Sequence, residues 1–413
     1  MKLLWLTNVL LPKASILLNQ KPTPYGGWLV STASMLEMNN DIEFYVCAPS
    51  HTALSTIWVK DEHTTYIVIP PVQKEEDLVF EEIIQKIQPD IVHIFGTEYL
   101  HTFVMTKTLN RKNIPFLISL QGIVSIYEKH YYGGIPDKVI YRKTLRDILK
   151  NDSLPKQRDQ FRLKAFYEVK SLEAAKHVTG RTKFDHDAAL SINPKLTYHM
   201  LDESLRPSFY EHTWLYDSMT PYTLMTSQAH YPIKGVHFLL QALAIIKKAY
   251  PDVKLYITGE PIQQGDTIKS KIKQSSYAKY LMDLIHKNQL ENHVFFLGPK
   301  NEQDMLKQYL KTHVFVIPSA IENSSNALAE AMILGMPCVS SNVGGSGDLL
   351  THEKSGLLYT YDDINLLASS IKMLFSHQGL AESYGKNARL SALERHDLNK
   401  NFNRLMEIYQ EIL

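Results

Sequence analysis

The feature that most constrains the fold is a regular alternation of short apolar runs with longer amphipathic stretches. In the first half of the 413-residue chain, three stretches carry apolar residues at helical spacing, namely Val30–Met38, Leu78–Ile87 and Thr102–Leu109. They separate strand-like runs at Leu3–Leu6, Phe44–Cys47, Tyr66–Ile69, Ile91–Phe95 and Phe116–Leu120. This β-α-β order predicts a parallel sheet covered by helices.

The second half repeats the alternation without repeating the sequence. Its strand-like runs are Tyr222–Thr226, Lys254–Thr258, Val294–Leu297, Val314–Ile317 and Cys338–Ser340. The helical stretches between them are His237–Ala249, Tyr277–His286, Glu302–Leu310 and Ala327–Leu334. The chain after Asp363 is predicted to be helical to its end.

The two halves predict two doubly wound α/β domains that face each other across a cleft. A further strand-like run, Leu196–Met200, precedes the linker, which we place at Leu205–Ser208. The prediction is a first, acceptor-side domain over 1–205, a second domain over 206–390 that binds a nucleotide, and a helix over 391–413 that returns to the first. Ligands of such sheets bind beyond the carboxyl ends of the strands, and hence in the cleft.

Composition excludes several functions. The net charge is +1, so no overall field attracts nucleic acid. Cys47 and Cys338 lie in apolar runs and are predicted to be small buried side chains, as expected in a reducing compartment. The apolar start of the chain is broken by Thr7-Asn8 and ends at Pro12, which favours a buried strand over a signal peptide. No run reaches the ~20 apolar residues that span a bilayer. We therefore expect a cytoplasmic protein.

Residues 318–350 carry the most chemical information. A buried strand ends at Pro318, a polar loop follows, and a helix is predicted to begin near Ser325–Asn326. Its first N–H groups and dipole suit a diphosphate, with Asn323 and Ser324 beside them. Glu330, inside the helix, is placed to accept hydrogen bonds from ribose hydroxyls, and Glu322, in the loop, from a sugar. The alternative is that the Asn and Ser residues are ordinary caps and Glu330 is solvated.

This segment resembles the E-x7-E signature of the family-four retaining glycosyltransferases, which have the GT-B fold. The resemblance extends over nearly the whole chain, through Gly26-Gly27-Trp28-Leu29, Gly180-Arg181-Thr182, Lys234-Gly235, Pro318-Ser319, Glu330-Ala331-Met332, Gly335, Pro337 and Gly344-Gly345. It implies sugar transfer from a nucleotide-diphosphate sugar to a saccharide or lipid-linked saccharide, as in assembly of bacterial cell-surface polysaccharide, with no further cofactor.

Four other segments are candidates for the donor site. Lys234 follows a strand, where its charge can contact a diphosphate; the resemblance implies that it stabilises the leaving group. Gly26 and Gly27 allow close approach of the backbone, and by the resemblance they close over the diphosphate from the first domain. Gly298, Pro299 and Lys300 follow a strand and are predicted to border the base. Gly344–Gly347 are predicted to line the donor sugar or the acceptor. Simple turns are the alternative for these loops.

Two positions depart from the resembled family. Its members usually carry an Arg six residues before the lysine, where this chain has Gln228, and a His where it has Gln121. The resemblance implies that Gln121 contacts the donor sugar and Gln228 the phosphate. Loss of a cation that lies 4 Å from a phosphate charge would remove an attraction of up to ~4 kcal/mol at an effective dielectric constant near 20. His230 and Lys13 are the nearby groups considered as replacements.

No metal is predicted. Asp185-His186-Asp187 has the D-x-D form of a metal site, but it begins a helix, where capping explains it. The expected mechanism needs no protein nucleophile, because positioning and stabilisation of the leaving phosphate suffice.

A basic stretch over 138–164 holds nine Lys or Arg and three Asp residues. It is either a solvated helical face or a surface drawn to anionic lipid, at up to ~1 kcal/mol per basic residue. The second interpretation predicts peripheral contact with a membrane.

Two rival functions stay open. A nucleotide-sugar epimerase can share the two-domain fold, and it would act on the donor without an acceptor. A non-catalytic sugar-binding protein, or a weakly active homologue, is suggested by Gln228 and Gln121.

Overall fold

The computed structural model describes residues 1–22, 26–260, 262, 267, 270 and 272–413. The chain divides into two units. The first comprises 1–125, 162–206 and 396–413, and the second comprises 126–161 and 207–395.

The sheet of the first unit has eight strands in the order β3-β4-β2-β1-β5-β6-β7-β8. They are β1 (Lys2–Leu6), β2 (Glu43–Pro49), β3 (Ile57–Lys60), β4 (Thr64–Ile69), β5 (Ile91–Phe95), β6 (Phe116–Ser119), β7 (His177–Gly180) and β8 (Thr197–Met200). All neighbours are parallel except β3, which pairs with β4 in the antiparallel direction.

The sheet of the second unit is parallel, in the order β11-β10-β9-β12-β13-β14. Its strands are β9 (Thr223–Ser227), β10 (Lys254–Thr258), β11 (Val294–Gly298), β12 (Val314–Ile317), β13 (Cys338–Ser341) and β14 (Leu357–Tyr359). Both predicted sheets are thus confirmed, and β5, β10 and β12 have the predicted bounds.

Helices connect the strands along the chain. Those with complete bounds are α1 (Pro12–Leu17), α2 (Gly27–Glu37), α3 (Val79–Ile87), α4 (Leu100–Lys112), α5 (Val124–Tyr127), α6 (Asp137–Ile140), α7 (Leu145–Leu149), α8 (Leu154–Ala174), α9 (Lys183–Ile192), α10 (Pro207–Tyr210), α11 (Val236–Ile246), α12 (Ser276–Lys287), α13 (Glu302–Lys311), α14 (Asn326–Ile333), α15 (Ser346–Leu349), α16 (Ile364–Ser376), α17 (Gln378–Arg395) and α18 (Leu398–Ile412). Short 3-10 turns lie at Glu128–His130, Tyr216–Ser218 and Pro232–Lys234. Among the helices with complete bounds, none is long and apolar enough to cross a membrane.

The last helix completes the core of the first unit. Leu405 and Tyr409 of α18 are buried against Trp5 of β1. Trp5 Nε1 donates to the Tyr409 hydroxyl at 3.0 Å, and that hydroxyl lies 2.7 Å from His93 Nδ1. Burial lowers the pKa of His93 to about 3, so the ring is neutral at pH 7.

The segment 126–161 belongs to the second unit, whereas the sequence prediction places it in the first domain. The physical reason is the core it enters: Tyr131, Ile135 and Leu154 are buried in one cluster with Leu239 of α11 and Leu281 of α12. Proximity along the chain does not reveal such a choice of partner.

Both cysteines are buried and free, as predicted. Burial raises the pKa of the Cys47 and Cys338 thiols, so both stay protonated and unreactive.

Candidate functional site

An ion pair lies at the carboxyl edge of the second sheet. Strands β9 and β12 are neighbours, so the loops that follow them emerge side by side. Lys234 ends the 3-10 turn after β9, and Glu322 lies in the loop after β12. Lys234 Nζ is 2.9 Å from Glu322 Oε2, and the two side chains are 24% and 12% exposed. The structure therefore brings together two predicted site residues that are 88 positions apart.

These two residues line a cavity of about 180 Å³. Gln228, Ser324, Ser325 and Asn326, which the sequence also singled out, line the same cavity. The remaining lining residues are Thr226, Ser227, Ile317, Pro318, Ser319 and Ala327. Asn323 is buried beside them and does not line the cavity.

Two glycines allow the loops around the cavity to pack closely against each other. Gly235 has φ +67°, and a Cβ there would lie 1.7 Å from the Pro318 carbonyl oxygen. Gly344 has φ +52°, and a Cβ there would lie 2.0 Å from the Glu322 carbonyl oxygen, to which Gly345 N donates at 3.0 Å. Any other residue at 235 or 344 would push these loops apart. The sequence predicts that Gly344 lines the donor sugar or the acceptor, and it does not reveal this backbone contact.

The carboxylate of Glu322 has a second partner. Ser319 Oγ donates to Glu322 Oε2 at 2.9 Å, the same oxygen that Lys234 contacts. Two donors on one oxygen fix the orientation of the carboxylate, and they leave hydrogen-bonding capacity at Oε1.

The predicted helix start is confirmed. Helix α14 begins at Asn326, and the Ser325 side chain accepts from Leu328 N at 3.4 Å as its N-cap. The first turn lines the cavity through Asn326 and Ala327. The amino end of α14 therefore lies beside Lys234, and both favour an anion.

Glu330 lies one turn inside α14, away from the cavity lining. Its side chain is buried, and Tyr309 Oη donates to Glu330 Oε2 at 3.4 Å. The same tyrosine hydroxyl is 3.0 Å from the Ala327 carbonyl oxygen. Glu330 is thus buried rather than solvated, and it does not line this cavity, although the sequence predicted that it faces a cleft. Its predicted role at a ribose stays a prediction.

Gln228 occupies a restrained position at the end of β9. Its φ is +61°, in the left-handed region that non-glycine residues seldom adopt, and its N–H donates to the Thr258 carbonyl at 2.7 Å. Neither proposed substitute supplies the charge that Gln228 lacks. Burial lowers the pKa of His230 to about 4, so it is neutral at pH 7. Lys13 is bound to Glu37 within the first unit.

One cavity residue has unsatisfied hydrogen-bonding capacity. Thr226 is buried, and within the described parts of the chain its hydroxyl has no hydrogen-bond partner. Buried hydroxyls are usually paired, because leaving one unpaired costs ~1–3 kcal/mol. A polar ligand in the cavity would satisfy it.

The other predicted contacts lie at loop ends. Gly298 ends β11 with φ +69°, and its carbonyl accepts from Gly259 N at 3.2 Å. A Cβ at Gly298 would meet nothing within 4 Å, so backbone conformation rather than space favours glycine. Pro299 is exposed and Lys300 half-buried, and neither lines the cavity.

In the first unit, Gly26 and Gly27 begin helix α2. Gly26 is the N-cap with φ +80°, and a Cβ there would lie 2.7 Å from Val9 Cγ2. A Cβ on Gly27 would lie 3.1 Å from the Arg206 side chain. Gly26 is therefore required by its backbone conformation and packing, whereas a Cβ at Gly27 would need only a small shift of the Arg206 side chain. The predicted contact of both glycines with a diphosphate stays a prediction.

Gln121 is held in a partly buried polar network. Its Nε2 donates to Glu203 Oε1 at 2.9 Å, and its backbone carbonyl oxygen accepts from Arg181 Nη2 at 3.1 Å. Arg181 Nη1 pairs with the second oxygen of Glu203. Sequence reasoning did not foresee the Arg181–Glu203 pair, because no local spacing connects the two residues.

The D-x-D sequence serves the structure of α9. Asp185 forms a capping box with Thr182, and Asp187 pairs with Lys183 at 2.6 Å. The predicted capping by Asp185 is confirmed. Within residues 1–22, 26–260 and 272–413, no three His, Cys, Asp or Glu side chains gather where they could hold a metal ion.

Comparison with known proteins points to one class for the second unit. Residues 216–391 match the family model of glycosyl transferases group 1, and this region contains Gln228, Lys234, Glu322 and Glu330. The putative glycosyltransferase YtcC of Bacillus subtilis (strain 168) is 29% identical over 184 residues, 44% of this chain and 43% of that protein. The chain therefore matches less than half the length of this relative.

Solved structures of similar fold cover the whole chain. A sucrose-phosphate synthase from Thermosynechococcus elongatus has a TM-score of 0.72 at 16% identity, covering 100% of this chain and 99% of that one. Anabaena Alr3699/HepE, in complex with UDP and glucose, has a TM-score of 0.67 at 17% identity and covers 99% of both chains. The predicted GT-B fold, with two Rossmann-like domains, is confirmed.

Proposed function

We propose that the protein is a retaining glycosyltransferase that moves a sugar from a nucleotide-diphosphate sugar to a hydroxyl acceptor. The observation that carries the proposal is the Lys234–Glu322 pair, 2.9 Å apart in a cavity beside the amino end of α14. The match of residues 216–391 to group 1 glycosyltransferases supports it.

The cavity suits the point where the diphosphate joins the sugar. Lys234 and the first amides of α14 would bind the phosphate oxygens. Glu322 would accept hydrogen bonds from sugar hydroxyls, which lie next to that phosphate in the donor. The buried Thr226 hydroxyl would gain a partner among the same oxygens.

The reaction balances without a protein nucleophile. The acceptor oxygen forms a bond to the anomeric carbon as the bond from that carbon to the phosphate oxygen breaks. The acceptor proton passes to the departing phosphate oxygen. Lys234 and the α14 amides stabilise the negative charge that develops there, so this stabilisation is assigned to the protein rather than to a metal.

Gln228 favours a second candidate, a weakly active homologue that binds the donor. This side chain lines the cavity without charge, and His230, two residues further along the chain, is neutral. Such a protein would bind the donor with ordinary affinity, and its turnover would be slow with every acceptor.

Donor binding is the first test. UDP and UDP-glucose are bound in structures of HepE, so UDP-glucose leads a panel that also includes GDP- and ADP-sugars. At a hundredfold excess over Kd, a donor should stabilise the fold by about 2.7 kcal/mol, measured as a rise in melting temperature. No stabilisation by any sugar nucleotide would overturn the proposed function.

Glu330→Ala tests the ribose assignment, with the exposed Glu394→Ala as its control. The donor-induced shift should be lost in the first variant and retained in the second. An unchanged shift in Glu330→Ala would show that Glu330 does not bind the ribose.

Nuclear magnetic resonance of the product tests whether the configuration at the anomeric carbon is retained. Incubation with donor alone separates a transferase from an epimerase.

A further inference from the structure

A short surface segment of the second unit exposes apolar side chains among lysines. We define it as the 137–150 surface, formed by α6, α7 and the link between them. Tyr141, Leu145, Ile148 and Leu149 are 71%, 50%, 61% and 75% exposed. Single exposed apolar residues are ordinary, but four within nine positions form a patch that requires an explanation.

Hydrogen bonds to Ser276 hold the backbone of this surface in place. Val139 is buried, and its carbonyl accepts from Ser276 Oγ at 2.7 Å. Arg142 Nη2 donates to the Ser276 carbonyl at 2.7 Å, and Asp147 accepts from Ser276 N at 3.0 Å. The apolar side chains are therefore held outward by contacts to the start of α12.

The arginines and the lysines of this surface have different roles. Arg142 pairs with Asp283, and Arg146 pairs with Asp147 and Asp152, so both arginines hold the structure together.

The lysines remain available to a partner. Lys138, Lys143 and Lys150 are exposed, and within the described chain none of them forms an ion pair. They give this surface positive charge, because within 137–150 the three lysines outnumber the one exposed carboxylate, Asp137. Lysine stems can lie along an apolar layer while their ammonium groups stay in water.

We propose that the 137–150 surface docks on an anionic lipid bilayer. The exposed Leu, Ile and Tyr side chains would enter the boundary between headgroups and acyl chains, and the three lysines would contact anionic headgroups. This charge pattern complements a lipid surface of negative charge. The observations are independent of the donor cavity.

The same pattern argues against other occupants. A second copy of the chain would set lysines against lysines, which repel. A stable protein partner would also need about 20–30 residues on each side, many more than this patch offers.

Sedimentation with vesicles tests the proposal on the full chain. Vesicles of phosphatidylcholine with about 30% phosphatidylglycerol, which carry negative surface charge, are compared with vesicles of pure phosphatidylcholine. Wild type should bind the anionic vesicles and stay in solution with the neutral ones. Absence of binding to the anionic vesicles would overturn the proposal.

Two double variants separate charge from insertion. Ile148→Ser/Leu149→Ser and Lys143→Glu/Lys150→Glu should each lower the partition constant at least about tenfold, since each basic residue alone is worth about fivefold. Leu54→Ser/Lys74→Glu changes one exposed apolar and one exposed basic residue of the first unit, and it should bind like wild type. Unchanged melting temperatures would show that all variants fold.

Three results would contradict the proposal. Equal binding by Ile148→Ser/Leu149→Ser would mean adsorption by charge alone. Equal binding by the lysine variant would remove the requirement for anionic lipid. Wild-type dimers in analytical ultracentrifugation that the 148/149 variant abolishes would identify a second copy as the occupant.

Discussion

Each unit contains one ion pair of special interest, and the two pairs differ in their surroundings. Lys234 and Glu322 in the second unit line a cavity and keep 24% and 12% of their side-chain surface exposed. Arg181 and Glu203 in the first unit are 4% and 14% exposed and line a smaller cavity of about 40 Å³, and Glu203 also holds Gln121. The ammonium of Lys234 is open enough to exchange its carboxylate for a ligand phosphate, whereas the guanidinium of Arg181 is enclosed and bound to Glu203 and to the Gln121 backbone, which suits it to maintain structure. Position in the fold, more than residue type, separates the two roles.

The largest effect should come from Lys234→Met. Removing the cation that faces the leaving phosphate should lower kcat about a thousandfold, or about 4 kcal/mol in the barrier. Lys311→Met, at an exposed helix end, is the matched control and should be silent. Steady-state kinetics with the best donor measures both variants. A kcat within threefold of wild type would place Lys234 outside the chemistry.

Arg181→Met should destabilise the fold without acting on donor chemistry. It leaves the Glu203 carboxylate without its cation, at a cost of about 3–5 kcal/mol in urea unfolding. Arg404→Met, whose partners are surface glutamates, should cost less than about 1 kcal/mol. Adding Glu203→Gln to Arg181→Met should restore part of the loss. A cost of Arg181→Met no larger than that of the control would refute a structural role for the buried pair.

The stability of the fold should depend on pH through Glu168, a buried carboxyl group of the first unit. Glu168 accepts from Val124 N and Ser125 N, both at 2.8 Å. Burial raises the pKa of Glu168 to about 7, so folding favours its protonated form. Its stabilising contribution is present in full below the unfolded pKa near 4.5, and it is lost as pH rises through about 7. The loss amounts to roughly 3 kcal/mol.

Buried histidines change stability with pH in the opposite direction, so the wild-type profile alone does not show the effect of Glu168. The difference in unfolding free energy between wild type and Glu168→Gln isolates it, because both proteins contain the same histidines. That difference should fall as pH rises from 4.5 to 7.5. The exposed Glu173→Gln should show no comparable slope. A difference that stays constant with pH would contradict the raised pKa.

The smallest effect, and the only gain, is expected from Gln228→Arg. An arginine there would add a cation to the cavity, and kcat should rise about tenfold, which corresponds to 1.4 kcal/mol. Gln289→Arg is a matched control, since Gln289 shares the left-handed backbone at φ +54° but is exposed elsewhere. If Gln228→Arg leaves kcat unchanged or lowers it, the cavity does not lack a cation.

Most strands could be predicted because they are continuous apolar runs. The three that were missed are short. Strand β3 is an exposed edge, β7 reads His-Val-Thr-Gly, and β14 has three residues. None carries the periodicity on which the prediction depends.

The site could be predicted only in part. The helix start at Asn326 follows from local residue types. The ion pair of Lys234 with Glu322 depends on β9 and β12 being neighbours, and the sequence does not determine strand order. The close contacts at Gly235 and Gly344 likewise involve distant segments, so a glycine in the sequence looks like a simple turn.

The hydrogen bond between Trp5 and Tyr409 has a consequence for synthesis of the chain. Its two residues are 404 positions apart, so the ribosome makes the second about 20–80 s after the first, at roughly 5–20 residues per second. The uninterrupted stretch 207–395 leaves the ribosome before α18 does. Most of the second unit can therefore fold while the first unit still exposes the apolar core residues that α18 covers. We expect the nascent amino-terminal half to need chaperone protection until translation reaches Tyr409.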